Sequence, residues 1–276
     1  MAARLDEIGY WSEVKLDIVR EYATAYSTVL NAPAQKNLRG HIYVDGFAGP
    51  GVHLSKQTGR HVAGSPLNAL LVQPPFREFH LIDMDGGKAK ALHELTADRK
   101  DVFVYEGDCN EILLEKVFPR ARFEDYRRAL CLLDPYGLHL NWEVIRTAGQ
   151  MRSIEIFLNF PVMDMNMNVL WRNPDKVQKS QAERMDAFWG DRTWRDVSYK
   201  SSPLFKDIEE KVSNEEVAQA YRKRLREVAG FKFVPEPIPM RNSKGAVVYY
   251  LVFASPNRTG ATIVAGIFKK YGTKGA

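Results

Sequence analysis

The feature that most constrains this chain is an apolar run that ends in an acid and continues into closely spaced glycines. The stretch is Tyr43-Val44-Asp45-Gly46-Phe47-Ala48-Gly49-Pro50-Gly51. A buried parallel strand ends in this way when its loop lets a ligand approach the backbone N–H groups, because glycine has no Cβ. Glycines also close ordinary turns, so a turn without a ligand is the alternative at this point.

Apolar strand patterns alternate with helical patterns, with short connections, between residues 41 and 160. Parallel neighbours in a sheet need crossover connections, which are usually helices. The alternation therefore predicts an α/β fold with a mostly parallel, Rossmann-like sheet. The predicted strands span 41–46, 78–84, 102–106, 128–133 and 153–160, and the predicted helices between them span 65–72, 87–96, 110–117 and 141–149.

The remaining segments suggest three parts. An N-terminal helical segment (1–40) contains an amphipathic helix over 12–30, and an insertion after the fifth strand (162–212) has methionines, tryptophans and charges without a clean period. Methionines at the alternate positions 163, 165 and 167 suggest an adaptable apolar surface. We interpret the insertion as a segment for substrate or partner recognition; a part of the core and a lid over the substrate are the alternatives. The sheet domain (41–161 and 213–276) ends with a helix over 214–228, an edge strand within 231–240, a strand over 246–253 and a helix over 259–271.

Polar side chains follow the predicted strands at the point where each strand ends. Ligands of an open parallel sheet bind beyond the carboxyl ends of its strands, near the point where the strand order reverses. A single acid there is usually a helix cap, but a series along one edge indicates a binding site. The residues are Asp45, Asp83, Asp85, Glu106, Asp108, Asp134 and Asn159.

A nucleoside cofactor accounts for these acids. Asp83 after the second strand can accept hydrogen bonds from a ribose diol, and Asp108 after the third strand can accept one from an adenine amino group. A dinucleotide would need a helix N-terminus directly after the glycine loop to hold its pyrophosphate, but the next helix signal is Ser65-Pro66. The gap disfavours a nicotinamide dehydrogenase and favours S-adenosylmethionine, which has no phosphate.

Four blocks along the chain carry a family resemblance. They are Phe47-Ala48-Gly49-Pro50-Gly51, the acid Asp83, Gly107-Asp108 and Leu132-Leu133-Asp134-Pro135-Tyr136. These blocks resemble motifs I to IV of class I S-adenosylmethionine-dependent methyltransferases. The resemblance implies a methyltransferase sheet and a cofactor bound by Asp45, Phe47, Gly49, Gly51, Asp83 and Asp108.

A narrower resemblance runs from the first strand to the last. Its blocks are Asp45 to Gly51, Gly64-Ser65-Pro66-Leu67, Leu133 to Leu138, Asn159-Phe160-Pro161 and Tyr249 to Ser255. They are similar to the bacterial three-Cys-motif partner family, TcmP. That family implies a neighbouring protein with three cysteines as a partner. This chain has only Cys109 and Cys131, far apart, so it would be the partner and not the cluster-binding member.

The segment Asp134-Pro135-Tyr136 resembles the D-P-P-Y signature of amino-methyltransferases. The resemblance implies that Asp134 and the Pro135 carbonyl accept hydrogen bonds from an exocyclic amine, and that an aromatic ring stacks on a base, flipped out if it comes from a duplex. This chain departs from the signature, since the second proline is missing and Gly137 stands where the ring would be. A simple turn closing the strand is the alternative.

The charge balance allows a polyanionic partner without requiring one. The net charge is +5 and the pI is about 9.0, which permits RNA or DNA as the methyl acceptor. The alternatives are a small-molecule or protein methyltransferase and a non-catalytic partner protein. Basic residues cluster at Arg120, Arg122, Arg127 and Arg128, at Arg222, Lys223, Arg224 and Arg226, and at Lys269, Lys270 and Lys274.

Several classes of protein are disfavoured by the sequence. No apolar run approaches the roughly 20 residues that span a bilayer, and residues 1–7 carry charge without an apolar core, which argues against a secretory signal. The two cysteines and six histidines have no metal-ligand spacing. We therefore expect a cytoplasmic protein with no membrane contact and no metal.

Overall fold

The computed structural model describes residues 6–201 and 209–272 of the chain. The strands are β1 (Glu7–Ile8), β2 (Gly40–Asp45), β3 (Val52–Ser55), β4 (His61–Ala63), β5 (Glu78–Asp83), β6 (Val102–Glu106), β7 (Arg127–Leu133), β8 (Ile154–Phe160), β9 (Tyr199–Ser201), β10 (Glu209–Lys211), β11 (Ile238–Arg241) and β12 (Val247–Ala254). The helices are α1 (Tyr10–Leu30), α2 (Ser65–Leu70), α3 (Gly86–Leu95), α4 (Cys109–Ile112), α5 (Trp142–Met151), α6 (Val162–Asn168), α7 (Lys179–Trp189), α8 (Trp194–Ser198), α9 (Asn214–Glu227) and α10 (Arg258–Gly272).

A seven-stranded sheet in the order β11-β12-β8-β7-β2-β5-β6 forms the centre of the structure. The five strands from β8 to β6 are parallel to one another. Strand β12 runs antiparallel to β8 and pairs with the edge strand β11. The predicted α/β fold with a mostly parallel, Rossmann-like sheet is therefore confirmed. The strand order reverses between β2 and β7, which makes this point the expected ligand crevice.

Both faces of the sheet are buried, because helices cover each side. Along β2, Ile42 and Val44 belong to one apolar core and Tyr43 to the other. The first core includes residues of α5, α7 and α9, and the second includes residues of α1, α3 and α10. This two-sided burial explains why the central strands are nearly continuous apolar runs rather than alternating patterns.

The N-terminal helix belongs to the packing of the sheet. Helix α1 begins at Tyr10 with Gly9 as its cap, so the helix starts two residues before the predicted start at residue 12. The Tyr22 ring lies 5.3 Å from the Phe157 ring and 4.8 Å from the Phe253 ring. Because Phe157 and Phe253 are on the central strands, α1 is part of the same core as the sheet.

The sequence predicts no strand or helix over the polar residues 53–64 that follow the glycine loop. In the structure this part of the chain forms the hairpin β3–β4, and β1 pairs in parallel with β3 to give a small three-stranded sheet. The strand signal was weak because β3 is only half-buried apart from Ser55. The pairing with β1, which is distant in sequence, supplies hydrogen bonds that no local pattern indicates.

The insertion contains three helices, α6 to α8, and the hairpin of β9 and β10; residues 202–208 lie outside the described part. Its aromatic residues share a core with the sheet domain, since the Phe188 and Trp189 rings lie 5.4 Å and 5.3 Å from the Tyr221 ring of α9. The alternate methionines do not form one surface. They lie on the helix α6, so Met165 is fully buried whereas Met167 is 68% exposed, because alternate residues of a helix point in different directions.

We expect two glycines in helices to respond to alanine in opposite ways. A Cβ at Gly149 would lie 2.1 Å from the Ala229 carbonyl oxygen, whereas a Cβ at Gly266 would meet nothing within 4 Å. Gly149→Ala should lower the free energy of unfolding by about 1–3 kcal/mol through overpacking. Gly266→Ala should raise it by about 0.5–1 kcal/mol. Urea denaturation of both variants tests the packing of α5, and equal effects of the two changes would contradict it.

Candidate functional site

A cleft of about 740 Å³ lies beyond the carboxyl ends of β2, β5 and β6. It stands beside the reversal of strand order between β2 and β7, where open α/β sheets bind ligands. Its volume is in the range of small-molecule sites, about 300–1,000 Å³. The lining residues are Gly46, Phe47, Asp83, Met84, Asp85, Lys88, Gly107, Asp108, Cys109, Asn110, Tyr136, Leu138, His139, Asn141, Arg184 and Ala187.

The structure brings some of the predicted site residues to this cleft and places others behind it. Phe47, Asp83, Asp108 and Tyr136 line the cleft. The remaining predicted residues do not line it but support the loops around it; they are Asp45, Gly49, Gly51, Asp134 and Pro135.

The carboxylate of Asp83 organises the glycine loop. The N–H of Gly49 donates to Asp83 Oδ2 at 2.8 Å, and the N–H of Asp85 donates to Asp83 Oδ1 at 2.9 Å. Gly49 has a φ of +66°, a left-handed conformation that favours glycine. The acid after β5 therefore fixes the loop after β2 while still facing the cleft.

A second acid, Asp108, caps the helix that follows β6. Its Oδ1 accepts hydrogen bonds from the N–H and the side-chain amide of Asn110, both at 2.9 Å. Asn110 in turn donates to the His139 carbonyl at 3.0 Å and accepts from the N–H of Asn141 at 2.7 Å. Asn110 thereby joins two walls of the cleft, a role that the sequence analysis did not identify.

The glycine loop continues into a strand and not into a helix. Gly51 has a φ of +85°, and a Cβ there would lie 3.2 Å from the Leu92 and Leu95 side chains. The chain then forms β3, and α2 begins only at Ser65, with Gly64 and not Ser65 as its cap. The gap between the loop and the next helix, inferred from sequence, is thus present in the structure.

Asp45 is fully buried beneath the glycine loop. Its Oδ1 accepts a hydrogen bond from the N–H of Phe47 at 3.2 Å, and its Oδ2 has no hydrogen-bond partner among the described residues. Burial raises the pKa of Asp45 to about 7, against the lowering effects of the nearby Ser65 hydroxyl and the Phe47 N–H and with a smaller raising effect of the Asp134 charge. Asp45 thus supports the loop from beneath.

Asp134 lies at the centre of a polar cluster next to the cleft. Lys15 of α1 donates to its Oδ2 in an ion pair, and the side-chain amide of Asn159 donates to its Oδ1 at 2.9 Å. The same amide lies 3.4 Å from the Pro135 carbonyl oxygen. Because its N–H groups point to these acceptors, Asn159 keeps its carbonyl oxygen Oδ1 free; that atom is buried and has no partner among the described residues.

The D-P-P-Y signature has its ring at the fourth position, which is Gly137 in this chain. Here the ring is that of Tyr136, at the third position. Tyr136 is 79% exposed and lines the cleft, where Lys88 Nζ lies 5.8 Å from its ring centre. A Cβ at Gly137 would lie 2.9 Å from the carboxyl group of Asp164. A side chain at position 137 is therefore excluded unless the insertion moves.

Lys15 is another residue at this site that the sequence analysis missed. It is only 6% exposed although it is charged, and it lies on the buried face of α1 between Val14 and Ile18. A lysine within the apolar stripe of an amphipathic helix is the signal that could have found it, since lysine is almost never buried without a partner. A second contact from the N-terminal segment, Asp6 to Lys88 at 2.6 Å, reaches the cleft itself.

Most of the predicted basic clusters are used in ion pairs within the chain. Lys274 lies outside the described residues, and six of the other ten cluster residues form ion pairs with acids. The pairs are Arg120 and Arg127 with Glu78, Arg222 with Glu236, Lys223 with Glu227, Arg224 with Asp191 and Lys270 with Glu21.

The remaining expectations concern cysteines, metals and membranes. Cys109 and Cys131 are buried and free, and burial raises the pKa of the Cys109 thiol to about 12. Within residues 6–201 and 209–272, no group of three or more potential ligands could hold a metal ion. No helix in the same part of the chain combines the length and apolarity needed to cross a bilayer.

The chain resembles some known proteins in structure, but no family model or curated protein matches it in sequence. No family model matches the chain, and no curated protein matches it by sequence. A solved structure of a Legionella pneumophila protein assigned to the family DUF519 is 13% identical over 96% of this chain and 92% of its own, with a TM-score of 0.58. The resemblance to the three-Cys-motif partner family therefore stays a prediction.

Two solved structures described as methyltransferases match less closely. A putative methyltransferase from Thermobifida fusca is 16% identical over 88% of this chain and 79% of its own, with a TM-score of 0.45. An S-adenosylmethionine-dependent methyltransferase from Aquifex aeolicus is 12% identical over 88% and 97%, with a TM-score of 0.33. Likeness at this level does not indicate an activity, which has to be argued from the site.

Asp45 should make the stability of the protein depend on pH. Its pKa is near 3.8 ordinarily and about 7 in the folded protein, so the folded state holds one more proton than the unfolded state between these values. The unfolding free energy should therefore fall as the pH rises through this window, by about 2–3 kcal/mol between pH 5 and pH 8 from Asp45 alone.

The variant Asp45→Asn should lose that contribution. Urea denaturation at pH 5, 6, 7 and 8 measures it, and Asp98→Asn, which removes an exposed acid, is the control that should keep the wild-type slope. Identical slopes for wild type and Asp45→Asn would show that Asp45 does not titrate in this range.

Proposed function

We propose that this protein is an S-adenosylmethionine-dependent methyltransferase that methylates an amino group on a nucleic-acid base. The observation that carries the proposal is the cleft at the switch point of the sheet, with acids after β5 and β6 and the Asp134 cluster at its side. Bound S-adenosylmethionine would supply an electrophilic methyl group. The residues of the chain would hold it and present the acceptor nitrogen.

The charges and free acceptors of the cleft fit a sulfonium nucleoside. Asp83, Asp85 and Asp108 line it, while its two cations, Lys88 and Arg184, each pair with an acid. A positively charged ligand suits this balance better than a pyrophosphate does. Each oxygen of Asp83 keeps a second lone pair for a ribose hydroxyl, and Asp108 Oδ2 makes no hydrogen bond to a described residue.

The Asp134 cluster supplies acceptors for an amine. The Asn159 Oδ1, the Pro135 carbonyl oxygen and the Asp134 carboxylate lie together, and an exocyclic amine has two N–H groups to donate. Accepting both would orient the nitrogen lone pair away from the cluster. Lys15 and the Asn159 amide hold the carboxylate in place, so the acceptors are preorganised before a substrate arrives.

A second candidate is methylation of a small molecule or a protein. The ion pairing of most basic clusters favours it, because neutralised cations are less available to a phosphate backbone. The resemblance to TcmP adds a three-cysteine-motif protein as a proposed partner. A transfer assay with several acceptor classes separates these candidates.

The cofactor assignment predicts that Asp83→Asn weakens binding of S-adenosylmethionine by roughly tenfold or more, because a charge-assisted hydrogen bond contributes about 1.5–3 kcal/mol. Isothermal titration calorimetry measures the affinity, and the exposed Asp98→Asn variant is the control with equal charge change. Equal affinities of wild type and Asp83→Asn would remove Asp83 from the site.

The acceptor assignment predicts separate effects on binding and transfer. Asp134→Ala and Asn159→Ala should each reduce methyl transfer by about 10²-fold or more while the affinity for S-adenosylmethionine changes little. The assay follows radiolabelled methyl groups into total RNA, DNA, protein and small-molecule extracts. Transfer to protein or small molecules alone would support the second candidate, and full activity of both variants would discard the acceptor role.

A further inference from the structure

A second cavity, of about 330 Å³, lies at the opposite edge of the sheet. It opens beside the amino ends of β7 and β8, where Arg128 and Ser153 line it. Arg128 and Asp134 are at the two ends of β7, about 20 Å apart at a rise of about 3.3 Å per residue. The cavity is thus separate from the cofactor cleft and independent of the proposed methyl transfer.

Four cations line this cavity: Arg128, Arg152, Lys232 and Arg258. None of them forms an ion pair with an acid in the described ranges, whereas Arg127, the neighbour of Arg128, pairs with Glu78. Arg128 is half-buried and the other three are exposed, so their mutual repulsion is partly screened by solvent. A bound anion would remove the repulsion that is left.

Two buried hydroxyl groups in the cavity lining lack partners. Tyr26 is 6% exposed and Ser153 is 1% exposed, and the hydroxyl oxygen of each has no hydrogen-bond partner among the described residues. A buried hydroxyl without a partner costs about 1–3 kcal/mol. Because both residues line the same cavity as the cations, an oxyanion in it would give both hydroxyls an acceptor.

Arg152 occupies a position that normally favours glycine. It follows the last residue of α5 with a φ of +55°, a left-handed conformation that is unfavourable for a residue with a side chain. A glycine would fit this backbone better, yet the chain carries a guanidinium there, at the cavity. An arginine at this position therefore has a conformational cost that a glycine would not have.

The single acid in the lining, Glu155, is already engaged. Its carboxylate accepts hydrogen bonds from the hydroxyls of Tyr22 and Ser255. Two aromatic rings complete the cavity lining, Phe123 and Phe233. The guanidinium carbon of Arg128 lies 4.1 Å from the centre of the Phe123 ring. The cavity therefore combines cationic and hydroxyl groups with an apolar wall.

We propose that this cavity binds a phosphate monoester, with the phosphate held by the four cations and the two hydroxyls and its organic part against the aromatic wall. A compact dianion with several acceptor oxygens matches this set of donors, since guanidinium groups bind phosphate in bidentate fashion. The site is a binding site distinct from the methyl-transfer centre.

The test uses ribose 5-phosphate and glycerol 3-phosphate, with ribose and glycerol as uncharged controls, in isothermal titration calorimetry on the full chain. Both monoesters should bind and both neutral compounds should not. Arg152→Gly should weaken binding about tenfold or more while leaving the melting temperature equal or higher. Arg226→Gln, an exposed cation outside the cavity, should leave binding unchanged.

A second variant separates a binding role from a structural one. Tyr26→Phe keeps the buried ring and removes only the unpartnered hydroxyl, so the free protein should be as stable or more stable while the monoesters bind several-fold more weakly. Absence of monoester binding to the wild type would overturn the proposal. So would equal losses in Arg152→Gly and Arg226→Gln, or oligonucleotide binding without monoester binding.

Discussion

The reversal of strand order between β2 and β7 is the constraint on which the rest of the structure depends. Two adjacent parallel strands whose connections leave in opposite directions cannot cover the space beyond their carboxyl ends, so a crevice remains. Three acids of the candidate site follow strands that end at this crevice. Asp45 ends β2, Asp134 follows β7, and Asp83 reaches across from β5 to bind Gly49. The topology of the sheet thus determines where the site lies, before any particular side chain is considered.

Three distant segments meet at this crevice. The N-terminal segment supplies Lys15 to Asp134 and Asp6 to Lys88. The insertion supplies Asp164, whose carboxylate accepts a hydrogen bond from the N–H of Leu138 at 3.2 Å and excludes a side chain at Gly137. The loop after β7 is therefore held from both sides by parts of the chain that lie outside the sheet. The proposed acceptor cluster owes its rigidity to these contacts.

The architecture of the sheet could be predicted from sequence because its strands are buried on both faces and its helices have clear periods. The order and type of the elements from β2 to β8, apart from the hairpin β3–β4, follow from such local patterns. The hairpin β3–β4 could not be predicted, because it is stabilised by pairing with β1 and only Ser55 on β3 is fully buried. Lys15 was missed for a related reason. Its partner Asp134 is 119 residues away, and a local sequence pattern does not indicate a contact between such distant residues.

The predicted site residues also differ in whether a local sequence pattern is enough to assign their role. Asp83 and Asp108 could be assigned because an acid at a strand end is a local signal, and the structure places both at the cleft. Asp45 and Gly51 belong to the same motif but do not line the cleft. The sequence cannot distinguish a residue that faces a ligand from one that supports the loop. Tyr136 faces the cleft through its exposed ring.

The packing of α1 against α10 has a consequence for how the protein is made. Glu21 and Lys270 form an ion pair although 249 residues separate them, and Tyr22 packs against Phe253 of the strand before α10. The packing of α1, which also contacts Phe157 of β8, is therefore completed only after β12 and α10 have been made. Long-range contacts of this kind slow folding. Until then part of the apolar face of α1 stays uncovered, and transient exposure of this kind favours aggregation.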